Sequence, residues 1–218
     1  MSNRRTLATL LLAGLIVTSG CTQLLGSGPA EFEAESAVVA DSAVEANDYQ
    51  LNDTREVELT RTLSVAGAEK EVVVTNEVAT YEKSLDLGVL GSQKLGVVAV
   101  FASPQVEVAG QAMNPIGDWS NQKLVREIGS RYDAISNVEP TGESQNVTVL
   151  GTDTEVATFE GSTSVQGQQV DVTIHVTKFA HEGDYVAVVG AYPSQFGGQE
   201  SGVMEMIRAV EHPAETEN

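Results

Sequence analysis

The residues best suited to chemistry are three histidines and the acids that follow one of them. His175 lies in an alternating segment, His181 is followed by Glu182 and Asp184, and His212 comes near the end of the chain. Imidazole and carboxylate groups bind zinc and iron, so His175, His181, Glu182 and Asp184 could form a metal site. Their spacing matches no established ligand pattern. Ordinary surface polarity is therefore the preferred interpretation, and we expect no metal and no cofactor.

A second segment of interest runs from residue 114 to residue 119, NPIGDW. It could line a ligand pocket, with Asn114 as its polar group and Trp119 as its aromatic group. It could equally be a tight turn, shaped by Pro115 and Gly117 and capped by Asn114. We prefer the turn and keep the pocket as an alternative.

Motifs typical of enzymes are absent from the sequence. It contains no nucleophile elbow, no phosphate-binding loop and no dinucleotide fingerprint. With 31 acidic residues, pairs of carboxylates carry no information about catalysis. We therefore predict no catalytic residues and place an enzyme third among the possible functions.

The single cysteine, Cys21, directly follows a segment with the layout of a secretory signal. Arg4 and Arg5 give a positive start, residues 6–20 carry no charge, and small residues precede the cysteine. The apolar segment is shorter than the roughly 20 residues that a spanning helix needs. Residues 18–21 resemble a lipobox, and residues 4–7 resemble a twin-arginine export motif. The resemblance implies lipid attachment at Cys21 and anchoring on the outer face of the cytoplasmic membrane.

The charge of the chain excludes several partners. The formal charge is −19, and loss of the two arginines in residues 1–20 takes it to −21. Such a surface lacks the basic footprint that nucleic acids or anionic lipids require. The acids are dispersed and lysines are few, which is typical of a halophile, since salt at about 1 M shortens the Debye length to ~3 Å. A local acidic site for a cation or a basic partner is the alternative. Asn52 and Asn146 begin N-x-T sequons and are possible glycosylation sites.

The periodicity of the sequence predicts the elements that position these groups. Alternation predicts strands at residues 55–65, 71–81, 146–150, 169–177 and 185–192, and an apolar run predicts a central strand at 97–101. Residues 120–135 and 200–210 have helical spacing, with Asp118 or Ser120 available as a cap. We therefore expect an α+β fold in which two amphipathic helices pack across an antiparallel meander sheet. The expected organisation is a signal peptide (1–20), a lipidated tether (21–30), one domain (31–212) and a polar tail (213–218).

Several stretches together resemble a known family. VTNEVATYEK, FASPQVEVAGQAMNPIG, VLGTDTEVATFEG and YVAVVGAYP resemble a family of haloarchaeal lipoproteins of unknown function, over nearly the whole mature chain. The part from Val97 onward also resembles the PsbP-like fold of photosystem II extrinsic proteins. The first resemblance implies an archaeal surface protein without known activity. The second implies a partner in a membrane complex.

The leading functional expectation is a non-catalytic, lipid-anchored surface protein that acts as an interaction or envelope module. A small-ligand-binding lipoprotein, with its site near residues 114–119, is the alternative.

Overall fold

A computed structural model describes residues 28–65, 68–86, 92–108, 111–112, 114–131, 135–165 and 167–214. The helices are α1 (Asp41–Ala46), α2 (Asn121–Arg131) and α3 (Glu200–Arg208), and 3-10 turns cover Pro115–Asp118 and Ser194–Gln199. The strands of the main sheet are β1 (Ala30–Glu33), β3 (Gln50–Val65), β4 (Ala68–Asp86), β5 (Ser92–Pro104), β8 (Ser136–Val149), β9 (Thr152–Val165), β10 (Gln168–His181) and β11 (Asp184–Pro193). Short strands lie outside it: β2 (Val38–Val39), β6 (Glu107–Val108), β7 (Gln111–Ala112) and β12 (Val210–Glu211).

The expected α+β class is wrong. The fold is mostly β: of the described residues, 64% lie in strands and about 21% in helices, and the eight-stranded sheet is mixed. The sheet order is β1-β4-β5-β11-β10-β9-β8, with β3 also paired to β4. The sheet is mixed because β1 runs parallel to β4, whereas the other pairs are antiparallel. The physical reason for the error is strand length: β3 and β4 extend over 16 and 19 residues, far beyond the alternating cores seen in the sequence.

Two apolar clusters occupy the two faces of the sheet. One contains α3 and alternate residues of the central strands, such as Val98 and Val188. The other contains α2 residues and the intervening strand positions, such as Ile174 and Ala187. Strands β5 and β11 are therefore buried on both faces, which explains their continuous apolar runs, whereas β10 alternates apolar residues with polar ones such as Thr173 and His175. We call these the α3 face and the α2 face.

Both ends of the described chain are held against the domain. Strands β2 and β12 pair with each other, and the Ala40 amide donates to the Ala209 carbonyl at 2.9 Å. The Ala214 amide donates to the Ser36 carbonyl at 2.8 Å. This backbone bond orders the chain as far as residue 214, two residues into the segment (213–218) that we expected to be a polar tail.

The predicted start of the first amphipathic helix is confirmed. Helix α2 begins after Ser120, whose hydroxyl accepts a hydrogen bond from the Lys123 amide at 3.2 Å. The strand predicted at 146–150 is the end of a longer strand, since β8 runs from Ser136 to Val149. Leu150 and Gly151 both have positive φ and form a tight turn between β8 and β9.

The predicted signal peptide, with Arg4, Arg5 and Cys21, lies outside the described residues, as do the last four residues of the tail. Within the described ranges, no helix is long and apolar enough to cross a membrane.

Candidate functional site

The three histidines do not form one site. His175 belongs to β10, and its side chain lies on the α3 face of the sheet, where it is 2% exposed. Its Nδ1 lies 3.2 Å from the Thr158 hydroxyl, and its Nε2 lies 3.1 Å from the Tyr192 hydroxyl. Alternation does turn it away from Ile174, as predicted, but α3 buries the face on which it lies. Burial lowers the pKa of His175, although Glu200 and Glu143 act in the opposite direction.

His212, Asp184 and His181 form a hydrogen-bonded chain that the sequence did not predict. His212 Nε2 lies 2.9 Å from an Asp184 carboxylate oxygen, and its Nδ1 lies 3.0 Å from Nδ1 of His181. The same carboxylate oxygen accepts a bond from the Glu35 amide at 2.8 Å. Asp184 and His212 are both buried. This chain joins the N-terminal segment, the β10–β11 turn and the C-terminal segment, so its evident role is to hold the two ends of the domain.

The NPIG segment is a turn whose polar groups are satisfied within the fold. The Asn114 side-chain oxygen accepts from the Ile116 amide at 3.1 Å, which makes Asn114 the predicted cap. Its side-chain amide donates to the Ser103 hydroxyl at 2.8 Å and to the Pro104 carbonyl at 2.6 Å. Pro115 is exposed at the first position of the turn.

Lys178 of β10 forms hydrogen bonds to the backbone of the same turn. Its ammonium group donates to the carbonyls of Ile116 (2.6 Å), Gly117 (2.7 Å) and Trp119 (2.8 Å). Burial lowers the pKa of Lys178, and Asp118 acts in the opposite direction. A Cβ at Gly117 would lie 2.4 Å from the Tyr185 hydroxyl, so this position has no room for a side chain. The segment is therefore packed as a structural turn, with Trp119 half-buried against the α2 face.

The grooves on the surface are shallow. One of ≈ 370 Å³ lies between α1 and α3, and another of ≈ 260 Å³ lies between α2 and β8. Both open broadly to solvent, unlike the enclosed apolar pockets that hold small ligands. The two sequon residues, Asn52 and Asn146, are exposed.

The outer edge of β3 is the largest open hydrogen-bonding surface in the described chain. β3 pairs with β4 on one side, and no described strand pairs with its other side. After one irregularity near Leu51, its register with β4 is continuous from Asp53 to Val65. We call the outer edge of residues 54–62 the edge site. Every residue in it is exposed except Val57 and Leu59, which are half-buried.

The hydrogen bonds of β4 fix which backbone groups point outward at the edge site. The Thr75 carbonyl accepts from the Ala34 amide at 3.0 Å, so the backbone of Thr75 faces β1. The next residue, Asn76, therefore faces β3, where it lies opposite Val57. Backbone direction alternates along an antiparallel strand. The N–H and C=O groups of Glu56, Glu58, Thr60 and Thr62 therefore point away from the sheet.

The opposite edge of the sheet is protected by proline and irregular pairing, whereas the β3 edge carries charged side chains alone. Strand β8 contains Pro140 and Gly142, and its register with β9 shifts twice. Proline and bulges are the usual means by which proteins prevent strand addition at an edge. Residues 54–62 contain no proline, glycine or lysine. The edge site is therefore open to another strand.

Side chains at the edge site separate by charge. The face of the β1–β3–β4 region that continues the α3 face carries seven glutamates: Glu31, Glu33, Glu56, Glu58, Glu69, Glu71 and Glu77. Three basic residues of this region, Arg55, Arg61 and Lys70, lie on the other face, whereas Lys83 lies on the glutamate-rich face near the end of β4, where it pairs with Asp48. Carboxylate oxygens of Glu33, Glu56 and Glu77 lie within 4.8 Å of one another. Burial raises the pKa of Glu77, and the charges of Glu56 and Glu33 raise it further. Three such carboxylates are common on acidic proteins and do not by themselves define a cation site.

Comparison with known proteins identifies the family. Residues 36–211 match the DUF6517 family, described as a domain of unknown function, and the chain belongs to that family. The expected membership of a family of unknown function is thus confirmed. No curated protein matches the chain. Among solved structures, it is similar to a protein of unknown function from Pseudomonas aeruginosa, PA94, a putative regulator, at 10% identity over 72% of this chain and 99% of that one, with a TM-score of 0.34. A TM-score this low establishes no common fold.

The edge site is what sequence reasoning missed. Alternation within residues 55–65 puts Glu56 and Glu58 on one face of the strand and Val57 and Leu59 on the other. The register of β3 with β4 agrees with this arrangement. Nothing in the local pattern, however, indicates which strand ends at the rim of the sheet, because strand order is set by long-range pairing. The absence of proline, glycine and lysine from residues 54–62 was the one available signal.

Proposed function

We propose that this chain is an exported protein of a halophilic archaeon that is held by a lipid on Cys21 at the outer face of the cytoplasmic membrane. There its domain acts without catalysis as an interaction module of a membrane complex. The sequence of residues 4–21 supports the export and the lipid. One structural observation carries the interaction: the open edge site of β3.

An open edge can bind a partner by strand addition. An extended segment that aligns with residues 54–62 would pair with the outward N–H and C=O groups of Glu56, Glu58, Thr60 and Thr62. Main-chain hydrogen bonds of this kind supply affinity, and alternate side chains supply selectivity. The exposure of the edge site means that no other part of the described chain must move first.

The small-ligand alternative has less support. The polar groups of Asn114 bond to Ser103, Pro104 and Ile116, and the ammonium of Lys178 bonds to the carbonyls of the same turn. These groups are already used within the fold.

Site-specific cross-linking tests the interaction. A photo-cross-linking residue replaces Thr62 in the full-length protein, in intact cells at their own salt concentration. A matched protein carries it at Glu143, on the protected β8 edge. We expect one membrane protein to be captured reproducibly from position 62 and not from position 143.

A proline at the edge shows whether the backbone is responsible. Thr60→Pro removes an outward N–H but no bond to β4, and Thr60→Val keeps that N–H. We expect Thr60→Pro to abolish the cross-link and Thr60→Val to retain it, with both proteins unfolding at nearly the parental temperature. Retention of the cross-link in the folded Thr60→Pro protein would refute strand addition.

The anchor needs its own test. We expect Cys21→Ser to move the protein from the membrane fraction to the soluble fraction, because the lipid then has no attachment point. If the variant stays with the membrane as the parent does, the lipid proposal is wrong.

A further inference from the structure

We infer that the segment bound at the edge site is an extended peptide of a partner protein in which basic and apolar residues alternate. It carries Lys or Arg opposite Glu56 and Glu58, and aliphatic residues opposite Val57 and Leu59. This inference rests on the proposed function, since it names the partner of the same edge.

The alternation follows from the pleat of β3. Glu56 and Glu58 lie on the glutamate-rich face, because their partners on β4 are Glu77 and Thr75. Val57 and Leu59 lie on the other face and are half-buried. A strand added beside β3 places each of its side chains next to the β3 residue opposite, on the same face. The side chains of the partner must therefore alternate between a carboxylate environment and an apolar one.

The charges favour a basic occupant over an acidic or neutral one. The glutamate-rich face carries seven carboxylates. No lysine or arginine of β1, of β3 or of the part of β4 that pairs with β3 (residues 68–82) lies on this face. Glu56 also lies directly opposite Glu77, so like charges face each other within the sheet. An added lysine beside Glu56 or Glu58 relieves this repulsion, whereas an added acid increases it.

Arg61 supplies a second constraint on the sequence of the partner. It lies two positions beyond Leu59, on the face away from the glutamates, and it is exposed. An acidic residue opposite Arg61 completes the pattern. In the antiparallel direction, the complementary segment reads acid, any residue, apolar, basic, apolar, basic.

A second copy of this chain fits the edge less well. Pairing of β3 with β3 would join two faces of seven glutamates each. Each full-length copy also carries a formal charge of −19. Such a dimer would repel itself over the whole contact, whereas a basic segment reduces the repulsion.

The place where the described chain begins indicates that the partner lies near the membrane. The Lys70 ammonium donates to the Gly28 carbonyl, so the chain enters the domain beside the β3–β4 hairpin. The seven residues from Cys21 to Gly28 span at most about 25 Å when fully extended. With a lipid on Cys21, the edge site is therefore held close to the membrane surface.

Two synthetic peptides of identical composition test the inference. TETVKVKST has the complementary pattern in the antiparallel direction, and TETVVKKST breaks the alternation while keeping the charge. Binding of each labelled peptide to the full-length protein is measured by fluorescence anisotropy in molar KCl. In the same register, TETVVKKST keeps a Lys opposite Glu56 but loses the charge pair at Glu58 and the apolar pair at Val57. Two cross-strand pairs predict that the alternating peptide binds about two- to thirtyfold more tightly.

Matched variants locate the source of this preference. Glu56→Gln with Glu58→Gln should reduce the preference between the peptides to the part that the apolar pair at Val57 supplies. Glu143→Gln with Glu205→Gln removes the same number of charges from β8 and α3, and should leave it intact. Thr60→Pro should abolish the binding of both peptides.

The outcomes separate this inference from the proposed function. If Thr60→Pro leaves the cellular cross-link intact, strand addition itself fails. If it abolishes the cross-link but the peptides bind equally or not at all, only the alternating basic pattern is overturned. A dimer in sedimentation that Thr60→Pro dissociates would replace the basic partner with a second copy of this chain.

Discussion

Two buried tyrosines differ in one respect, and this difference predicts opposite effects of the same mutation. Tyr49 is 4% exposed and Tyr81 is 3% exposed, so neither hydroxyl is solvated. The Tyr81 hydroxyl accepts a hydrogen bond from the Val39 amide at 2.8 Å. Within the described residues, the Tyr49 hydroxyl has no hydrogen-bond partner. Replacing each tyrosine with phenylalanine removes one oxygen atom from a comparable environment.

The expected sign follows from the cost of an unpaired polar group. A buried donor or acceptor without a partner costs about 1–3 kcal/mol. Tyr49→Phe removes such a group and should stabilise the domain by about 1 kcal/mol, at the lower end of that range. Tyr81→Phe creates one, the Val39 amide, and should destabilise the domain by about 1–3 kcal/mol. For a domain of this size, each kcal/mol shifts the melting temperature by about 2–4 °C.

Thermal unfolding in a constant molar concentration of KCl measures both variants against the parent. A Tyr49→Phe protein that is no more stable than the parent would refute the reasoning, as would a Tyr81→Phe protein without a loss. Burial, followed by the nearby Tyr192, raises the pKa of Tyr49 from 10.0 to about 12. Since the folded-state pKa lies above the unfolded value, titration of this hydroxyl leaves stability unchanged below pH 10 and lowers it as the pH rises towards about 12. Tyr49→Phe should lack this alkaline component.

Three further predictions concern packing and charge. Gly190→Ala should cost about 1–3 kcal/mol in denaturant unfolding, because its Cβ would lie 2.2 Å from Cγ1 of Val203, and Val203→Ala should recover part of the loss. Lys178→Met should lower the free energy of unfolding by about 1.5–3 kcal/mol, because the carbonyls of the turn lose their charged donor. The fluorescence of Trp119 should shift to longer wavelength, and unchanged fluorescence would contradict this. Burial lowers the pKa of His175, so the stabilising contribution of its neutral form is present above pH 6.5 and is lost as the pH falls below that value. In the His175→Gln protein, the free energy of unfolding should therefore fall less steeply below pH 6.5. An unchanged pH dependence in this range would count against the explanation.

The parts of the fold that sequence reasoning predicted are those with a buried face. Strands β10 and β11 alternate or run apolar because both of their faces are covered, and α3 shows helical spacing because one side packs on the sheet. Strand β8 was recognised only in its last four residues. Its first part is exposed almost throughout and contains Pro140 and Gly142, so no hydrophobic period marks it.

Long-range pairing accounts for what local patterns could not predict. β1 is four residues long, too short for a reliable period, and its parallel pairing with β4 joins residues about 40 positions apart. His212 lies in a polar stretch that reads as a tail, yet contact with Asp184 buries it. The NPIG turn was predicted because Asn114 caps its own neighbour, a contact within the same few residues.

The way in which the chain enters the domain also determines how the protein bears a mechanical load. A force applied at Gly28 acts along β1. Because β1 runs parallel to β4, this force loads the hydrogen bonds between the two strands together in shear instead of breaking them one at a time. The bonds of the Ala34 and Glu35 amides come next, and the Asp184 carboxylate that receives one of them is tied to His212. Tension applied at Gly28 is thus shared between the sheet and the C-terminal segment before it reaches α1. The helices and the apolar core behind them lie beyond the part of the structure that carries the first load.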